Sequence, residues 1–375
     1  MLLTALIFFL ILSILVLIHE FGHYAVARII GVHVEEFGLG LPPRIFGRTI
    51  GKTLYSLNWL PIGGFVKLAG EDEIDSPKSK VLSPKSHKFF WARSKKERAA
   101  ILVAGVTMNL LLAIGITAFL LTQGVLEPSG RVKIEKVQPG SPAQTVGLKE
   151  NDIIKNISWT VIPAPSSVIP ANAGIQRIEV TTPKILIDTT RAHVEEKVTI
   201  TILRDNKEQH ITVTPRKNPP PGQGPLGVAI TDLELKTYAW YEIPTEAIRI
   251  NLSRAREMFT GVGSTLWRLV TLKAPAADVA GPIGIARVTG EAVKFGWKAV
   301  LEFMSILSLN LAVLNILPIP ALDGGRLAFV FLEKLIGKKL RPAWERSAHQ
   351  VGMIILMGLI ILVSINDILK LAKGL

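Results

Sequence analysis

Residues 1–27 read MLLTALIFFLILSILVLIHEFGHYAVA, and the understanding of the whole chain turns on them. The first 18 positions carry no charged side chain, and His19, Glu20 and His23 then follow within five residues. On a helix, His19 and His23 share one face about one turn apart. Two imidazoles so placed can reach one tetrahedral Zn²⁺ at about 2.0–2.1 Å, with Glu20 beside them as a general base for water. In a soluble chain this H-E-x-x-H pattern is a weak signal, and structural histidines compete with it. Inside an apolar segment the balance changes, because ionisable groups at membrane depth are costly and are kept for function. A secretory signal ending at Ala25-Val26-Ala27 is the bland alternative. It fails because the start has no basic residue and the 18-residue apolar run exceeds the roughly 7–15 residues of a signal's apolar region. The stretch therefore predicts a zinc-dependent hydrolytic site at membrane depth.

The rest of the composition agrees with a membrane protein. The chain has 375 residues, of which 49% are hydrophobic, a share too high for an ordinary soluble domain. Three further stretches are long enough to span about 30 Å of hydrocarbon: residues 99–126 and 303–322 are uncharged, and 347–366 holds His349 as its one ionisable group. The net charge of +13 does not indicate a nucleic-acid partner, because the basic residues flank the apolar segments. Residues 28–98 hold 13 Lys and Arg against 7 Asp and Glu, and the connection 333–348 holds Lys334, Lys338, Lys339, Arg341 and Arg346. The positive-inside rule places both on the cytoplasmic side, so both termini and 127–298 face outward. The absence of cysteine excludes disulfides and thiolate ligands, leaving His, Asp and Glu to bind any metal.

Along the chain, 34–40 and 53–60 pattern as strands, and Pro61-Ile62-Gly63-Gly64 breaks the run before Phe65. They form either an ordinary hairpin or a sheet edge that takes up an extended peptide. Residues 71–98 pattern as a polar arm. In the second span, Gly105 and Gly115 suit close helix packing, and Asn109 suits a packing role with a hydrogen bond across the bundle, a catalytic role being the competing one. The outward segment opens with a compact domain. Its strands are expected at 131–137 and 152–157, and 199–203 pairs with 209–214 across Asp205-Asn206. A short helix begins at 139–143 and stops at Gly147. Residues 159–176, rich in Pro, Ala, Ser and Val, pattern as an inserted loop, and 218–222 as a closing linker. Residues 245–272 form an amphipathic stretch that lies on the outer membrane surface or closes over the core.

The third span ends in Asn315-Ile316-Leu317-Pro318-Ile319-Pro320-Ala321-Leu322-Asp323-Gly324-Gly325. The prolines and glycines break the helix, and such backbone at membrane depth must line a cavity or be buried in protein. Asp323 is the natural third metal ligand; the competing role is an ion pair with Arg326.

These residues together resemble the site-2 protease family, specifically the bacterial RseP-like regulators of sigma-E. The resemblance runs over nearly the whole chain: His19 to His23, the loop from Pro61 to Lys67, Pro139 to Ala143 with Gly147-Leu148, Gly281-Pro282-Ile283-Gly284, and Asn315 to Gly325. Gly105-Val106 departs from a more usual Gly-Pro pair, and one PDZ-like domain is present where some relatives carry two. The resemblance implies Zn²⁺ held by His19, His23 and Asp323 with Glu20 as catalytic base. It also implies a substrate held by Asn315, Pro318, Pro320 and the Gly63, Gly64 and Phe65 loop. The expected fold is an integral membrane protein, mainly α: four transmembrane helices, a membrane-associated β-hairpin region and one extracytoplasmic PDZ-like α+β domain. The expected division runs 1–30, 31–98, 99–126, 127–217, 218–298, 299–325, 326–346 and 347–368.

The implied activity is regulated intramembrane proteolysis in the bacterial inner membrane. The substrates would be single-span proteins already trimmed outside, such as an anti-sigma factor, and remnant signal peptides. The PDZ-like domain would bind a peptide ligand, and the lipid bilayer is the other partner. Two readings from other classes compete. One is a catalytically silent PDZ scaffold; the other is a metal transporter, which ligands at a single depth fit poorly.

Overall fold

The computed structural model describes residues 2–71, 88–160, 174–271, 281–338 and 342–372. It mixes helix and sheet and divides into two compact units, residues 1–123 with 238–375, and residues 124–237.

Among the described residues, the first unit holds four helices long and apolar enough to cross a membrane: Leu3–Ile30, Lys95–Thr122, Trp297–Ile316 and Trp344–Leu369. The shortest, of 20 residues, covers about 30 Å at 1.5 Å per residue, the thickness of the hydrocarbon layer. They belong to α1 (Leu2–Ile30), α2 (Lys95–Thr122), α7 (Trp297–Ile316) and α9 (Pro342–Ala372). Between α2 and α9 the same unit also holds α5 (Ile243–Val270), α6 (Pro282–Phe295) and α8 (Asp323–Ile336). Ser94-Lys95-Lys96-Glu97 sets the start of α2 with a capping box: the Ser94 hydroxyl accepts from the Glu97 amide, and the Glu97 carboxylate accepts from the Ser94 amide. Two apolar clusters seat the helices. Ile11 and Leu15 of α1 pack with Met304 and Leu307 of α7, and Ala27, Val34, Leu68, Ile101 and Val330 gather α1, the hairpin, α2 and α8. The expected connection 326–346 is thus largely helical. The amphipathic stretch is α5, which rests on α2 through buried Asn251, whose amide donates to the Thr117 hydroxyl at 3.0 Å, and on α7, where Arg254 pairs with Glu302.

The hairpin is formed by β1 (Val34–Ile50) and β2 (Thr53–Leu68), antiparallel across Gly51-Lys52. Each strand doubles back. Glu36 to Leu39 pair with Leu54 to Leu57 on one side and with Gly64 to Lys67 on the other, while Leu54 to Leu57 also pair with Phe46 to Thr49. Four short rungs result, with Gly64 to Lys67 at one edge. Pro42-Pro43 and Pro61 to Gly64 sit at the bends, where a missing N–H and free glycine backbone interrupt a ladder. The Tyr24 and Tyr55 hydroxyls, 2.6 Å apart, tie this sheet to α1.

The second unit is an antiparallel sheet of β3 (Val125–Val137), β4 (Ile153–Thr160), β5 (Ile175–Glu179), β6 (Val198–Arg204), β7 (Lys207–Val213) and β8 (Val228–Lys236). The strand order is β7-β6-β4-β3-β8, with β5 beside β4. Two helices join it, α3 (Pro142–Thr145) and α4 (Pro183–Ala192). Its core is built from Val132, Ile134, Ile154, Ile157, Leu186, Ile200 and Ile202. Asp205 and Asn206 both take positive φ, as a two-residue turn between β6 and β7 requires. The expected end at 217 falls short, because β8 pairs with β3 along most of its length. The Pro-rich stretch 218–222 is a loop inside the unit rather than a linker beyond it. Its turn residues mask the continuity, since β8 carries Glu234 and Lys236 on an exposed half and patterns weakly as a strand. Most of the insertion at 159–176 and of the polar arm at 71–98 lies outside the described residues.

Candidate metal centre

α1 is apolar enough to form a continuous helix, and its 3.6-residue period stacks His19 and His23 on one side, each about 8% exposed. Asp323 reaches them from the first position of α8, where a carboxylate also suits the positive end of the helix. His19 Nε2 stands 2.9 Å from Asp323 Oδ2, and His23 Nε2 stands 3.2 Å from both His19 Nε2 and Asp323 Oδ2. All three ligand atoms lie within 4.8 Å of one another, a grouping that could hold a metal ion. Ligands bonded at about 2.0–2.1 Å around a tetrahedral ion stand roughly 3.3 Å apart, close to the spacing here. Arg326 does not take Asp323 as its partner; it meets Glu71 instead.

The surrounding hydrogen bonds test the fit of a metal. His23 Nδ1–H donates to the Ile101 carbonyl of α2 at 2.8 Å, which leaves a lone pair on Nε2. Asn109, fully buried on α2, places its amide nitrogen 3.3 Å from His19 Nδ1, while its Oδ1 is a buried oxygen without a partner among the described residues. Turning that amide over satisfies Oδ1 with a proton on His19 Nδ1, the tautomer in which Nε2 is free to ligate. The orphaned oxygen therefore fits a metal on the other side of the ring.

Glu20 lines a cavity of about 240 Å³ together with His19, Asn109, Asn315 and Asp323. At about 30 Å³ per water, that space admits several waters or a peptide group. The hairpin edge comes up beside Glu20: a Cβ at Gly64 would stand 3.6 Å from Glu20 Cγ, and the Val66 backbone interacts with the Glu20 carboxylate. Asn315 brings its amide 3.4 Å from His19 Nε2. Phe65 lays its ring over Gly38, and Gly63 has positive φ at the bend. Pro320 packs against Gly352 of α9, whereas Pro318 is exposed.

Three contributors are absent from the motif. Gly105, expected to serve only helix packing, lies directly against the imidazoles, and a Cβ there would fall 2.4 Å from His23 Nε2 and 2.8 Å from His19 Nε2. A glycine inside an apolar helix costs about 1 kcal/mol relative to alanine, and that expense was the signal. Asn109, also assigned to packing, is the partner of His19. The Ile101 carbonyl has no side-chain signature at all. Ala321, two residues before Asp323, holds φ at +80°, a left-handed conformation that costs a residue with a Cβ about 1–2 kcal/mol.

Comparison with known proteins gives one answer. Residues 7–359 match peptidase family M50. A protein of Clostridium perfringens (strain 13 / Type A) that bears a provisional zinc-metalloprotease name is 34% identical over 95% of this chain and 96% of its own length. The zinc metalloprotease RasP of Oceanobacillus iheyensis and the regulator of sigma-W protease RasP of Bacillus subtilis are 28% and 27% identical, each over 98% of this chain and 99% of the relative.

Proposed function

The chain belongs to peptidase family M50, the site-2 protease family of zinc metalloproteases, and from that premise we propose that it cleaves the membrane segments of single-span proteins within the bilayer. The observation that carries this reading is the meeting of His19, His23 and Asp323 beside Glu20 on a helix long and apolar enough to span a membrane. His19 Nε2, His23 Nε2 and an Asp323 oxygen would hold the zinc. Bound there, zinc supplies Lewis acidity toward a peptide carbonyl and makes a water acidic near neutral pH.

The chain's own residues do the remainder. Glu20 takes the proton from the attacking water and delivers it to the leaving amide nitrogen. Ile101 and Asn109 hold the two imidazoles in the ligating tautomer. A helical substrate hides its amides, so it must unwind before attack. The hairpin edge that carries Gly64 and Phe65 lies beside Glu20, where such an extended segment can add as a further strand, and Asn315 offers an amide to its carbonyls.

The positive-inside reading of the basic loops supports a metal site near the cytoplasmic face of a bacterial inner membrane, and an extracytoplasmic PDZ-like domain with a peptide ligand is part of the same proposal. The Bacillus subtilis relative is named for regulation of sigma-W. On that basis the substrate class here is an anti-sigma-factor-like protein, already trimmed by another protease, in an envelope stress response. Remnant signal peptides are a second substrate class of the same chemistry.

The test is co-expression of wild type, Glu20→Gln and His23→Ala with a tagged single-span protein lacking its outer domain. A shortened cytoplasmic fragment with wild type alone is expected, with zinc retained by Glu20→Gln and lost from His23→Ala. Cleavage by a folded, zinc-loaded Glu20→Gln variant would remove Glu20 as the base.

A further inference from the structure

His349 is the one ionisable group of residues 347–366, and neither the metal nor the proposed base accounts for it. We propose that His349 is a positioning residue of the metal centre, holding the loop that presents Asp323 to the two histidines. This rests on the reading of His19, His23 and Asp323 as the zinc ligands.

The argument starts from the backbone of residues 317–323. Pro318 and Pro320 have no N–H to give. Ile319 donates to the Leu317 carbonyl at 2.7 Å and Leu322 to the Ile319 carbonyl at 3.2 Å, both within the loop. Ala321 differs: its N–H donates to His349 Nδ1, 3.0 Å away on α9. It is also the loop residue held at φ +80°, and the carbonyl of the next residue, Leu322, accepts from Gly325 in the first turn of α8. The direction in which the chain enters α8, and hence the place of Asp323, depends on this one left-handed residue. One turn along α9, Gly352 lies so close that a Cβ would fall 2.4 Å from Pro320 Cβ. His349 and Gly352 are three apart and share a helix face, so α9 grips the loop at two adjacent points. The bland account is that His349 merely packs, its ring centroid lying 6.2 Å from that of Phe329. The two accounts differ in which substitution is tolerated.

The experiment uses the full-length protein in detergent and titrates bound zinc against EDTA, with thermal unfolding recorded alongside. His349→Phe preserves a ring but removes the acceptor, and it should surrender zinc at about 10–100-fold lower chelator concentration, the usual effect of losing an outer-shell partner. His349→Gln keeps an acceptor oxygen and should stay near wild type. Adding Ala321→Gly to His349→Phe should recover part of the loss, because glycine adopts the left-handed conformation without a tether. Gly352→Ala, which forces α9 off Pro320, should reproduce the zinc loss and serves if His349→Phe does not fold. The inference is overturned if His349→Phe holds zinc like wild type, or if the Gln variant falls as far as the Phe variant. His23→Ala separates the two readings. Zinc lost from His23→Ala but kept by His349→Phe overturns only the role of His349, whereas zinc kept by His23→Ala overturns the ligand assignment beneath it.

Discussion

Replacing Gly105 by alanine sets helix stability and activity against each other. In α2 the change gains about 1 kcal/mol of helix propensity, since glycine is that much poorer than alanine in a helix interior. The new methyl, however, would stand 2.4 Å from His23 Nε2, 2.7 Å from His19 Cε1 and 2.8 Å from His19 Nε2. Ordinary contact needs roughly 3.5 Å, so something must give by about 1 Å. The histidines cannot swing aside freely: His23 is hydrogen-bonded to the Ile101 carbonyl at 2.8 Å and His19 to Asn109 at 3.3 Å. Overpacking of this kind costs about 1–3 kcal/mol, which roughly cancels the propensity gain. Misplacement of catalytic groups by about 1 Å, by contrast, costs on the order of 100-fold in rate, or about 2.7 kcal/mol of transition-state stabilisation. The expected outcome is a protein that melts within a few degrees of wild type, binds zinc weakly and cleaves about 100-fold more slowly. Gly115→Ala is the control on the same helix, because nothing lies within 4 Å of a Cβ there; it should keep full activity. The assay is fragment formation by purified protein in proteoliposomes, with zinc measured by atomic absorption. Wild-type turnover by Gly105→Ala would refute the claim that this close approach shapes the metal centre.

Three other perturbations address separate parts of the molecule. Asn109→Leu removes the partner of His19 and should lower zinc affinity about 10–100-fold in a chelator competition, whereas Asn109→Asp, which keeps an acceptor, should bind zinc more tightly than the leucine variant. Tyr55→Phe breaks the 2.6 Å link between the hairpin and α1 and should cost about 0.5–1.5 kcal/mol in thermal or denaturant unfolding. Hydrogen bonding to Tyr24 raises the Tyr55 phenol above its ordinary value, so that contribution is complete below the ordinary phenol range and is lost as pH rises through the elevated folded value. Arg204→Ala removes the charge partner of the Asp152 carboxylate, only 1% exposed and 2.6 Å from the guanidinium, and leaves it the Lys149 N–H at 2.8 Å; a cost of about 3 kcal/mol should appear as faster limited proteolysis of the second unit, with bound zinc unchanged.

The four spans, the H-E-x-x-H face and Asp323 were legible because each rests on a local pattern: an uncharged run of membrane length, a four-residue spacing, or a carboxylate beside prolines in an apolar segment. The hairpin was legible as strands but not as four rungs, since doubling back at Pro42-Pro43 and Pro61 to Gly64 is a tertiary event that period-2 alternation does not record. β8 was missed because most of its second half is exposed, so its stability comes from the ladder with β3 rather than from its own apolar pattern. Gly105 and Asn109 were visible as residue types. Their task was not, because helix packing in membranes also favours glycine and asparagine. Only the approach of α2 to the imidazoles separates the two explanations.

That approach also explains how so many polar groups can stand at membrane depth. Burying one unpartnered imidazole, amide or carboxylate costs several kcal/mol, yet here each group satisfies another. His23 is held by a backbone carbonyl, His19 by Asn109, Asp323 by both histidines, and the backbone carbonyl of Asn109 by the Ser308 hydroxyl at 2.8 Å, while the Asn109 side-chain oxygen is satisfied once its amide is turned toward His19 Nδ1–H. Such a set behaves as one unit, because removing a member leaves its neighbour unsatisfied as well as itself absent. The losses from Asn109→Leu and His23→Ala should therefore not add: with His23 already gone, the further loss from Asn109→Leu should be far smaller than in the wild-type background. Separate, additive losses would mean that Asn109 contributes to helix packing alone, and the metal centre would then be three ligands without a built surround.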